Sequence, residues 1–146
     1  MLLLLAMCLP SLALTTTIAP TPLEEKVRKA DHVVVAKVAS VDMVDGQGQP
    51  VTDRAARTGP GLTNQIWLNL EVQEVLFAQT KPPPRTLRVP LWRMWHHELG
   101  MMQDYVTGTT RIFLLKGDAY EPVLPADFQA GLEDRAEVVR LLETGP

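Results

Sequence analysis

The chain has 146 residues, 46% of them apolar and 21% charged, with a net charge of −3 and a single cysteine. That composition excludes a disordered, collagen-like or disulfide-scaffold protein and predicts one domain with a real hydrophobic core. A mildly acidic chain offers no bulk charge for polyanions, so nucleic acid is not an expected partner.

The first element in chain order is a targeting segment. Leu2–Leu9 is uninterrupted apolar, Pro10 breaks the run, and Ser11-Leu12-Ala13 supplies small residues at −3 and −1 of a cleavage site. This is the grammar of a secretory signal peptide over residues 1–13, although no basic residue precedes the run. Pro10 and Thr15-Thr16-Thr17 interrupt the stretch too early for a spanning helix, which needs about 20 strongly apolar residues. The expected product is a secreted or periplasmic protein without a stable membrane anchor. Cys8 leaves with the signal, so the mature chain has neither disulfides nor thiol chemistry.

Residues 14–20 read as a short linker, and 21–146 as the folded domain. Thr21-Pro22-Leu23-Glu24 has the pattern of a capping box with Pro at the first helical position. Leu23, Val27 and Ala30 then form the apolar stripe of a short helix ending near Ala30. His32–Val44 is rich in β-branched residues and apolar on both faces of its first half, as in a central strand. Asp45–Asn64, with its Gly, Pro and charges, reads as a long loop.

Gln65–Phe77 alternates clearly through Ile66, Leu68, Leu70 and Val72, then changes phase to Val75 and Phe77 across Gln73-Glu74. A change of phase by one residue predicts a β-bulge. After the stiff Lys81–Arg85 connection, Leu87, Val89 and Leu91 mark a strand placed near an edge by Pro90. Trp92–Gly108 reads as a second long loop. Thr109–Lys116 is a buried strand, Gly117-Asp118 a tight turn, and Ala119–Leu124 its return strand. Leu132–Glu143 closes the chain as a helix with Leu132, Ala136, Val139 and Leu142 as its stripe. The predicted fold is mainly β: a five-stranded antiparallel OB-like Greek-key barrel with a short N-terminal helix and a C-terminal helix.

Three stretches carry a resemblance: Ala30-Asp31-His32-Val33-Val34-Val35-Ala36-Lys37-Val38, Asn69-Leu70-Glu71-Val72-Gln73-Glu74-Val75-Leu76 and Gly108-Thr109-Thr110-Arg111-Ile112-Phe113-Leu114-Leu115. Over Ala30–Val123 the pattern resembles small exported bacterial proteins with a netrin-module or tissue-inhibitor-of-metalloproteinases-like OB-fold. The resemblance implies the barrel and says little about activity. The animal inhibitors of that fold chelate their protease's zinc through an N-terminal cysteine. Here the expected mature N-terminus is Leu14-Thr15-Thr16, so that mechanism is not carried over.

The most unusual stretch is Arg93–Met102, which holds two of the three histidines and three of the six methionines. Thioether and imidazole suit copper, so Met94, His96, His97, Met101 and Met102 are candidate metal ligands. The stretch lacks the H-E-x-x-H spacing of a zinc helix. The same residues also fit a loop or short helix whose Met94, Trp95, Leu99 and Met101 plug one end of the barrel. Asp31-His32 has the residue types of an oriented general base, Asp42, Asp45 and Asp53 those of a calcium loop. Arg54, Arg57, Lys81, Arg85 and Arg88 with Trp67 and Trp92 have those of a stacking surface for bases. Ser11 and Ser40 sit in no nucleophile motif. The expectation is a non-enzymatic binding domain with no resident cofactor, whose two long loops and Trp67, Trp92 and Trp95 face a protein or small-molecule partner. A periplasmic copper protein is the alternative.

Overall fold

The frame is an antiparallel ribbon of two long strands, β1 (His32–Val44) and β2 (Gln65–Ala78), in a computed structural model that describes residues 19–145. The expected signal segment, with Cys8, and most of the expected linker lie outside the described residues. β1 is central because its first five residues are buried on both faces, which the Val33-Val34-Val35-Ala36 run makes possible. Along β1, register shifts leave Leu76, Gln73 and Ala39 without a partner. The Gln73 bulge is the one expected from the change of phase, and three bulges bend the ribbon strongly.

β3 (Thr86–Pro90) pairs with β2, and β4 (Thr110–Lys116) pairs with β1. Two short strands, β5 (Glu121–Pro122) and β6 (Gln129–Ala130), both pair with β4. The order along the sheet is β3-β2-β1-β4-β5, so Pro90 does sit on an edge strand. The sheet is open. β3 and β5 come within 8 Å at their Cα atoms, yet no ladder joins them. Pro90 and Pro122 stand on the two lips of that seam, and neither has an N–H to donate.

Three helices accompany the sheet among the described residues: α1 (Leu23–Lys29), α2 (Leu99–Val106) and α3 (Arg135–Thr144), the last preceded by a single 3-10 turn. The core is formed by buried residues of the strands together with Val27, Leu99, Phe128 and Val138.

Several expectations change. Among the described residues there are six strands rather than five, and they form an open sheet. The return strand Ala119–Leu124 shrinks to two residues because the turn runs on to Tyr120, whose φ of 54° is left-handed. The Thr21 capping box does not form: Pro22 is the cap, and the Thr21 N–H goes instead to Asp127. α3 buries Val138 with Leu141 and Leu142 against it, whereas Leu132 and Ala136 face solvent. The helix starts at Arg135, three residues later than the apolar spacing suggested. The loop Trp92–Gly108 contains α2.

Candidate functional site

The two long loops are joined to each other. Leu99 N–H donates to Ala56 O at 2.9 Å, Gly100 N–H to Arg54 O at 2.8 Å, and Thr58 N–H to His97 O at 2.9 Å. An antiparallel bridge pairs Arg57 with Glu98, whose side chains also meet at 3.0 Å. The pin of this clasp is Thr58, 1% exposed, whose hydroxyl donates to Trp95 O at 2.7 Å and accepts the His97 N–H at 3.2 Å. A buried β-branched residue with one hydroxyl satisfies two backbone groups that neither loop satisfies alone.

Two further contacts fix the clasp. His96 lies flat against Gly59, where a Cβ would stand 2.6 Å from its Nδ1; with φ of 152° besides, only glycine suits this position. On the other side, Leu99 is fully buried, Met102 and Val106 pack on the core, and Gln103 donates to Val41 O at 3.1 Å. Leu99, Met102 and Val106 therefore make the inward stripe of α2, and Met101 and Tyr105 stand on its outward face.

That outward face carries apolar side chains beside the exposed Arg54–Asp104 ion pair. Of the eight large hydrophobic side chains that are exposed among the described residues, Leu62, Met94, Trp95, Met101 and Tyr105 all belong to the clasp, Tyr105 being 75% exposed. Trp92, Trp95 and His97 follow one another with ring centroids about 6 Å apart. Burial holds the His97 imidazole below the usual histidine pKa. Met94, Trp95 and Met101 are thus exposed rather than a plug; Leu99 and Met102 are the residues of this stretch that pack on the core.

The other predicted site residues are placed as follows. His96 rests on Gly59 while His97 turns to Trp95, and Met101 and Met102 point to solvent and core respectively. No group of three His, Cys, Asp or Glu side chains is placed to hold a metal among the described residues. No observation on these residues favours a copper shell. Trp92 lines a cleft of about 270 Å3 at the open seam, with Gln65, Pro90, Pro122 and Pro125. Trp67 is half-buried under the Arg88 guanidinium, 4.5 Å from its ring, and Arg88 is tied to Asp42 at 2.8 Å. Arg54, Arg57 and Arg85 are likewise paired with Asp104, Glu98 and Glu71.

The acidic candidates are spent locally. Asp45 accepts the N–H groups of Gln47 and Gln49, Asp53 that of Ala55, and Asp42 the Asn69 amide. Asp31 accepts the Gly117 N–H, while His32 is 2% exposed, its ring tilted against Tyr120 at 4.9 Å with its Nδ1 unpartnered among the described residues. The pair is not an oriented base.

Thr58, Leu62 and Tyr105 escaped the sequence reading. A threonine inside a Gly- and Pro-rich loop gives no local sign of burial, because its partners lie almost 40 residues away. The outward pair Met101 and Tyr105 was readable once a helix is drawn through Leu99, Met102 and Val106. Comparison with protein-family models and with curated proteins finds no match to this chain.

Proposed function

We propose that this chain is an exported, non-enzymatic binding domain that recognises a protein partner through the outward face of the clasp. The observation that carries the reading is the concentration of exposed apolar side chains there, on a backbone fixed by the Thr58 pin. Exposed apolar groups on a structured surface mark interaction sites, and Trp, Tyr and Met are the residues enriched in them. The ion pairs that occupy Arg54, Arg57, Arg85 and Arg88 support a protein rather than a polyanion as partner.

The build is OB-like. The order β3-β2-β1-β4-β5, with a helix between β3 and β4 and the two outer strands approaching each other, supports a partly open five-stranded barrel of that kind. It also supports the likeness to netrin-module domains. Export through residues 1–13 follows from the apolar run and the Ser11-Leu12-Ala13 site.

A photo-crosslinking residue placed at 95 or 101 in the native cells tests the binding reading. One defined adduct from both positions, absent when the probe is at the equally exposed Leu132, is the expected result. The same products from all three positions, or none from the clasp, would contradict it. N-terminal sequencing of the exported protein tests the signal, with Leu14 as the expected first residue and Met1 as the contrary one.

A further inference from the structure

The ribbon's other end holds a cleft of about 320 Å3 where α1 and α3 meet the end of β2. This is at the lower end of the range of small-ligand sites. Val27, Phe77, Leu141 and Leu142 supply its apolar wall, and Phe77 keeps 36% of its surface exposed there. A one-sided apolar wall fits an apolar body, and the charges decide what that body carries.

We propose that this cleft binds a small apolar molecule bearing an ammonium group. Glu24 and Asp31 line the cleft against one cation, Arg28, which leaves a net negative charge. The C-terminal end of α3 opens on the same space through Leu142, Thr144 and Gly145, and its last turn contains no basic residue. Within α3 the Thr144 hydroxyl meets the Arg140 and Leu141 carbonyls, and a ligand cation is stabilised by the partial negative charge of the carbonyls beyond them. The open Phe77 ring adds a face to which a cation is attracted. An anionic ligand meets the opposite of each term except Arg28. This site shares no lining residue with the clasp, which packs near the other end of β1.

Phenethylamine and hydrocinnamate, which share a phenyl body and differ in the sign of charge, test the proposal by calorimetric or NMR titration of the mature protein. The amine binds saturably, shifting Phe77 and Leu142 signals, and the acid binds at least fivefold more weakly. Glu24→Gln weakens the amine about two- to fivefold, the size of an exposed charge interaction, and Arg28→Gln tightens it by a similar factor. Both positions are exposed, so neither variant disturbs the core. Trp95→Ala leaves the amine's affinity unchanged, which separates this site from the clasp. Equal or stronger binding of hydrocinnamate, no saturable binding of the amine at millimolar concentration, or weaker amine binding by Arg28→Gln would overturn the proposal.

Discussion

The two ends of the β1–β2 ribbon are stabilised in opposite ways. At the clasp end, main-chain hydrogen bonds and the buried Thr58 hydroxyl hold two loops together while large apolar side chains face outward. At the helix end the apolar side chains of Val27 and Val138 face inward, and α1 is tied down by a polar anchor. The Lys26 ammonium, 7% exposed as a residue, donates to Asp127 at 2.7 Å and to Gln129 O at 3.1 Å. Side chains that are not needed for folding are free for recognition, and the clasp holds most of the exposed large apolar ones, while Phe77 is open at the helix-end cleft.

The largest expected effect breaks the helix end. Lys26→Met leaves Asp127 and the Gln129 carbonyl without their cation and costs about 2–3 kcal/mol of global stability, measured by urea unfolding. Burial pushes the Asp127 carboxyl up, but Lys26 and the Thr21 N–H together pull it below its usual value. A carboxylate depressed in the folded state contributes stability above its unfolded value of about 3.9, and that stability is lost as pH falls through the lowered one. Lys26→Met flattens this acid limb of the stability curve.

Thr58→Val keeps the shape and removes the pin. It costs about 1–3 kcal/mol, and hydrogen exchange shows the loss as faster opening at 54–59 and 95–100 with β1 and β4 unchanged. Gly59→Ala costs about 1–2 kcal/mol from backbone strain and from displacing His96.

How much of this was legible in the sequence follows from the range of the forces involved. β1 and the loop after it were readable to the residue and β2 to within one, because burial of alternating or continuous Val and Leu is a local pattern. The bulge at Gln73 was readable for the same reason. α2 was hidden because Trp92–Gly108 mixes an inward Leu99-Met102-Val106 stripe with outward Met101 and Tyr105, which dilutes its periodicity. Thr58 and Lys26 were not legible, since each owes its burial to partners far along the chain.

The pH dependence of the clasp sharpens the comparison further. The His97 pKa is lowered by burial, so below about 6.5 the unfolded chain binds more protons than the folded one. Clasp stability therefore declines as pH falls through 6.5 toward the lowered folded value, and His97→Gln removes that decline. The smallest effect is Trp95→Ala, which changes stability by no more than about 0.5 kcal/mol while abolishing the partner adduct.

Amide hydrogen exchange at the clasp tests the account most directly, since recognition by a prebuilt surface requires the two loops to be folded together before any partner arrives. The Thr58, Leu99 and Gly100 N–H groups, each bonded across the clasp, exchange at least a hundredfold more slowly than the unstructured chain in the isolated protein. Exchange of these three at the rate of the unstructured chain would show that the loops are separate, and the clasp would not be the recognition surface.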